Sequence, residues 1–287
     1  MNDKADLETP IFTGQPATNS TPRLHDNSAR LANTNFVYRE LLSLSNGVVG
    51  SARNLKMAVV AAGYIATLTA DEIIVAVALG GAQAKLYSFS NTINLSINGA
   101  GGMDTDTTPA NGCVAIYAIL NPTMGTTALL ARNATSAVAP SVYGGANMPA
   151  GYTHSALVSV WRTNASSQLK IGYQADRTIN AIAVSVLDTM VATPTLTSVN
   201  ISSAVPLNAV YVTGTVGMNS NSGALNSTIA SDATVGGVGL QQVTSSAVTN
   251  LSANYILILA TAQRIYYMFT ATGTSASINI FISGYAI

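Results

Sequence analysis

Few residues in this chain could carry out chemistry. There are two histidines, His25 and His154, and one cysteine, Cys113. His154 follows P-A-G-Y-T at the start of a predicted strand. With one of many serines and Asp176 or Asp188 it could compose a charge-relay set. No G-x-S-x-G elbow is present to place such a serine at a strained turn. Glycoside hydrolysis typically needs two carboxylates across one bond. After Glu72 the acids are Asp104, Asp106, Asp176, Asp188 and Asp232, and their spacing pairs none of them. Asp104 and Asp106 alternate in G-G-M-D-T-D-T-T. That pattern could give oxygen ligands to Ca²⁺, although an EF-hand loop needs further acids and a terminal Glu. Two turn aspartates are the plainer and preferred reading. The expectation is a protein that is not an enzyme and has no cofactor and no resident metal. Cys113 opens the apolar run C-V-A-I-Y-A-I-L and reads as a buried small hydrophobe.

Binding chemistry is better represented. Aromatic faces and hydroxyl or amide groups are what a sugar surface asks of a protein. Tyr143 and Tyr152 stand close to Gly144, Gly145 and Gly151 in a loop-rich stretch and are the expected exposed receptor contacts. Trp161 alternates with Val160 and Arg162 and reads as a core anchor. In R-I-Y-Y-M-F-T, one of Tyr266 and Tyr267 should face the core and the other solvent.

The elements that position these residues follow from the hydrophobic pattern. The chain has 287 residues, 48% hydrophobic and only 8% charged, with zero net charge. Disordered chains are polar and charged, so this composition argues for packed structure. Zero net charge removes any long-range pull on nucleic acid. No stretch approaches the ~20 apolar residues of a spanning helix, so membrane insertion is not expected. Eleven of the 24 charged residues lie at or before Lys56. The rest of the chain must stay soluble through Ser, Thr, Asn and Gly, or cover surface in an assembly.

Residues 1–26 carry Pro10, Pro16 and Pro22, each of which removes a backbone donor and extends the residue before it. They read as an extended arm. Residues 27–46 read as a helix, capped at Asp26, Asn27 or Ser28 and stopped at Asn46-Gly47. Val37, Leu41, Leu44 and Val48 fall at the a and d positions of two heptads. An ordinary amphipathic helix would show the same stripe. From Met57 the pattern turns to short apolar runs bounded by Gly, Asn, Asp, Ser and Pro. Strands are expected at 57–62, 64–69, 72–79, 84–89, 92–97, 113–120, 155–163, 168–173, 179–187, 196–202, 209–216, 235–243, 255–261, 264–271 and 277–284. Stretches 98–111 and 219–233 read as loops. The organisation expected is an arm (1–26), a helix and linker (27–56), a β-sandwich domain (57–192) and a β-rich C-terminal domain (193–287). The last two could be one domain, since the boundary at Ala192-Thr193-Pro194 is soft. The fold class is mainly β, a sandwich or jelly roll.

P-I-F-T-G-Q-P, followed by D-N-S-A-R-L-A-N-T-N-F-V, resembles a segment of bacteriophage tail-fibre and receptor-binding proteins. There a P-x-F-T-G-x-P arm precedes a D-N-S-x-x-I-A-T-x-x-F-V helix start; Asn33 and Asn35 depart from the commoner residues. The body is similar to the β-rich distal part of some fibres at G-G-M-D-T-D-T, P-A-G-Y-T and V-W-R-T. The resemblance implies a homotrimer on the virion tail, made in the host cytoplasm. It implies that Ile11 and Phe12 dock on partner chains or other tail and baseplate proteins. It makes the heptad stripe a three-helix seam. The body would attach the virion to bacterial polysaccharide or an outer-membrane protein by multivalent, non-catalytic binding. The alternative is a purely structural virion component, such as a collar or head fibre or a baseplate adaptor. A polysaccharide-degrading tip is a third possibility.

Overall fold

The computed structural model describes residues 21–23, 26–27, 32–37, 47–105, 107–246 and 250–287. The chain divides into two compact units, Met1–Gly47 and Val48–Ile287. In the first, Ile11, Phe12, Leu41 and Leu44 lie outside the described residues. The described part holds one helical turn at 34–37. It does not begin at the expected cap. Asp26 and Asn27 are not helical, and the Asp26 N–H donates to the Arg23 carbonyl. Asn33 opens the turn instead, its Oδ1 accepting the Phe36 N–H at 2.8 Å. A short amide side chain three residues ahead of a free N–H outcompetes the more distant candidates. Val37 ends this turn half-exposed.

Val48 corrects the seam expectation. It precedes a tight turn at 49–50, outside any helix, with 77% of its surface exposed. The cause lies two residues on. Gly50 adopts φ +82° and donates its N–H to the Ile74 carbonyl, while Arg177 Nη2 donates to the Gly50 carbonyl. The chain is thereby drawn into a sheet at the position where a second heptad would continue.

The second unit pairs all its strands antiparallel and has a short 3₁₀ turn at Thr234–Gly236. Its strands are β1 (Ala52–Arg53), β2 (Lys56–Val59), β3 (Ile65–Ala76), β4 (Gln83–Asn94), β5 (Cys113–Asn121), β6 (Thr126–Asn133), β7 (His154–Arg162) and β8 (Gly172–Ala175). They continue with β9 (Thr178–Thr189), β10 (Thr193–Asn200), β11 (Tyr211–Asn219), β12 (Leu225–Ala230), β13 (Gln241–Ser245), β14 (Asn250–Ile258), β15 (Arg264–Ala271) and β16 (Ser277–Ala286). A twelve-stranded sheet runs β14-β11-β16-β9-β8-β2-β3-β7-β5-β6, with β1 and β4 also on β3. A four-stranded sheet runs β10-β15-β12-β13. Both contribute to one apolar core, which joins Val199, Ile265 and Phe269 of the small sheet to Val212, Leu257 and Ile280 of the large one. Residues 190–192 are where the chain leaves the large sheet for the small one. β11, β14 and β16 return to the large sheet through β16 pairing with β9.

Three local features differ from the sequence reading. The runs at 64–69 and 72–79 are one strand, as are those at 84–89 and 92–97. Asp71 and Glu72 do not break β3 because that stretch is open to solvent. Glu72 forms an ion pair with Lys85 across the hairpin at 2.8 Å, and Asp71 accepts a hydrogen bond from Asn54. β6 shows no alternation because Ala128, Leu129, Leu130 and Ala131 are all buried, as in a strand covered on both faces. β12 lies inside a stretch read as loop; its polar Ser227 and Thr228 are buried because β13 and β15 pair with it on either side.

β5 shows how the sequence divides the core. Val114, Ile116 and Ala118 face the main core; Ala115, Tyr117 and Ile119 face a second one, covered by residues 134–152. Cys113 and Trp161 are buried, as the pattern predicts.

Candidate functional site

The second core holds the first expected contact. The apolar face of β5 must be covered, and the segment 134–152 does it with Ala139, Tyr143, Met148 and Tyr152. Tyr143 is therefore buried, with 7% of its surface exposed, and is not the exposed contact its glycine-rich surroundings suggest. Its N–H donates to Ser155 Oγ at 2.9 Å and its hydroxyl to Asp104 Oδ2 at 2.8 Å. Its ring meets Tyr117 edge to face at 5.5 Å, and the Arg132 guanidinium lies 5.8 Å from its centroid. Arg132 Nε stands 3.9 Å from the same Asp104 oxygen. Burial, then the Asp104 carboxylate, pushes the Tyr143 hydroxyl up to about 12. Tyr152 is half-buried against the same cluster.

The other candidates are dispersed. Asp104 uses its carboxylate on Tyr143 and on the Thr105 N–H; Asp106 lies outside the described residues. His154 opens β7 with Nδ1 beside Thr153 Oγ1, and burial lowers its pKa. Asp176 sits at φ +50° in the turn between β8 and β9, where it accepts the Leu55 N–H. Asp188 pairs with Asn279 across β9 and β16. Among the described residues no ion pair joins His154 to either acid, and no three of His, Cys, Asp and Glu converge as metal ligands.

A surface of different character lies on the large sheet. Side chains opposite one another across a sheet share a face. One row in register crosses eight strands: Ile258, Tyr211, Ala286, Thr178, Ala175, Lys56, Thr69 and Ser90. The row two residues along holds Ile256, Thr213, Gly284, Asn180, Tyr173 and Ala58. The opposite face carries Val212, Leu257, Tyr285 and Ile179 and is buried. The two rows are exposed or half-exposed except at Ala286 and Gly284, which are buried; they are rich in hydroxyls and small residues, and Lys56 is their one charge. Neighbouring side chains already bond to each other: Thr178 Oγ1 lies 2.8 Å from Tyr211 Oη, and Thr67 Oγ1 lies 2.9 Å from Thr92 Oγ1. Tyr173 stands in this face with 58% of its surface exposed. Sequence reasoning passed over it, since I-G-Y-Q-A has no loop signal. The usable signal was alternation, with Gly172 and Gln174 buried and Tyr173 and Ala175 outside.

No protein-family model matches this chain, and no curated protein does.

Proposed function

We propose that this chain is a bacteriophage tail-fibre or receptor-binding protein that attaches the virion to the bacterial surface without catalysis. The setting rests on the P-I-F-T-G-Q-P and D-N-S-A-R-L-A-N-T-N-F-V blocks. The observation that carries the binding role is the open face around Tyr173. An exposed aromatic ring among threonines, serines and asparagine offers a sugar C–H face a stacking surface and its hydroxyls hydrogen-bond partners. With so few charges on that face, little of the affinity would be screened by salt. The acting form is a homotrimer with a sandwich-like body, in which three weak sites on one particle gain effective concentration. Ile11 and Phe12 join it to other tail proteins, and Val37, Leu41 and Leu44 belong to the trimer contact.

Two measurements test the reading. Light scattering coupled to size exclusion should give a mass near three times 29.4 kDa. A labelled trimer should bind host cells, and Tyr173→Ala should reduce that binding without altering the trimer. A trimer that binds no cells would instead favour the structural role, a collar or head fibre or a baseplate adaptor. A monomer would remove the fibre reading.

A further inference from the structure

Where β9 runs beside β16, their pairing opens. Val184 pairs with Ile282 and Asn180 with Gly284, so Ala181, Ile182 and Ala183 face Ser283 alone. A bulge of this kind bends a strand away from its neighbour and leaves space beside it. Here the space is a cleft of about 290 Å³. Its walls include Ile171, Ile179, Ile182, Val184, Ile282 and Tyr285.

Two cations also line it. Arg162 ends β7, and Lys170 lies beside it across a narrow loop, its N–H donating to the Arg162 carbonyl at 2.9 Å. The loop is firmly built. Thr163 bridges to Leu169, and Asn164 Oδ1 accepts the N–H groups of Ser166 and Gln168, both at 2.9 Å. The neighbouring Trp161 Nε1 donates to the Lys170 carbonyl at 2.8 Å. The backbone thus holds two like charges side by side, and no acid lines the cleft among the described residues. Arg162 is 8% exposed. It donates through Nη1 to the Ser203 carbonyl, while its buried Nε has no partner. A guanidinium removed from water without a carboxylate is costly, and a second cation beside it raises that cost.

We infer that this cleft is a binding site for a small amphipathic carboxylate, its apolar body lying against the isoleucines and its carboxylate held by Arg162 and Lys170. Arginine suits a carboxylate because its planar fork matches the two oxygens. An inorganic anion would leave the apolar walls unfilled. A neutral apolar molecule would leave the cations without a counter-charge. The volume falls at the small end of small-molecule sites, which run from about 300 Å³ upward. The cleft's chemistry is independent of whether the open face meets a bacterial surface.

Trp161 is the chain's only tryptophan and lines the cleft, so its fluorescence reports occupancy. The full chain is titrated with octanoate, octanol and sodium sulfate. Octanoate should change the emission saturably, and the other two should bind at least about ten-fold more weakly, the factor one charge-assisted hydrogen bond supplies. Lys170→Met should weaken octanoate by about ten-fold and leave octanol unchanged. Ile182→Glu, on an exposed rim position, should abolish octanoate binding by supplying an internal carboxylate. Both changes lie at partly or largely exposed positions and spare the buried bond from Arg162 to Ser203. Equal binding of octanol and octanoate would overturn the inference, as would sulfate binding as tightly as octanoate. An unchanged octanoate affinity in Lys170→Met, or no saturable response to octanoate, would also overturn it.

Discussion

Arg132 and Arg162 flank β5 from its two neighbouring strands, opposite Ala115 and Cys113, on the same face of the sheet. Their surroundings differ completely. Arg132 meets a carboxylate already in place, Asp104, which also accepts the Tyr143 hydroxyl, and the whole group closes the second core. Arg162 meets a backbone carbonyl, a thiol and another cation. The first arrangement is complete within the chain and holds structure together. The second is rigidly built but lacks an anion, which is the condition of a site and not of a strut.

The contrast can be broken by mutation. The largest effect should come from Tyr143→Ala, which empties an aromatic position in the second core. A loss of about 3 kcal/mol is expected by denaturant unfolding, in the range of buried aromatic truncations. A loss within about 0.5 kcal/mol, as at a surface site, would mean that the segment 134–152 does not depend on it. Asp104→Ala should cost about 2 kcal/mol, since it leaves the Tyr143 hydroxyl without its acceptor and Arg132 without its carboxylate.

At alkaline pH Tyr143 and Lys170 shift stability with opposite signs. The Tyr143 hydroxyl is raised to about 12 from 10.0, so above pH 10 the unfolded chain gives up a proton that the folded chain keeps. Stability therefore falls as pH climbs from 10 towards 12, and Tyr143→Phe should reduce that fall. Tyr117, Tyr255 and Tyr285 are also raised by burial and act in the same direction. Lys170 is displaced the other way. Burial, then Arg162, lowers it below 10.5, so its contribution to stability rises with pH up to that value. The smallest expected effect is accordingly Lys170→Met near neutral pH, a slight gain in thermal stability from removing one of two adjacent cations. A clear loss would show that Lys170 has a structural partner and would erase the contrast.

Much of the β framework was legible because alternation is a local property. In S-I-N-I-F-I-S every second residue is apolar; in T-I-N-L-S-I the same alternation misled, since β4 ends at Asn94, the chain turns at 95–96 and Ile97 is exposed. Strands at 113–121, 154–162, 264–271 and 277–286 lie within two residues of expectation. β6 and β12 were not legible for the same reason inverted: one is apolar at consecutive positions, the other polar, and both are strands because of what pairs beside them. The helix start failed because several good capping residues compete within a few positions, and Asn33 took the place expected of Asp26, Asn27 or Ser28.

The candidate sites show the division most clearly. By itself the sequence determined that this chain is mainly β, nearly uncharged outside its first fifth, and supplied with tyrosines, threonines and few groups for catalysis. It also indicated which residues of a regular strand share a face, since side chains alternate with a period of two, although bulges interrupt that period in β7 and β9. Only the tertiary structure decided which face is covered. Tyr143, beside two glycines, was buried because the outer side of β5 needed a lid. Tyr173, inside the strand expected at 168–173 but not singled out there, was left in the open, with 58% of its surface exposed. The bulge opposite Ser283 likewise arises where segments distant in sequence meet, and it opens beside a short local loop that sets Lys170 next to Arg162. Covering and opening are set by long-range packing, which no local spacing encodes.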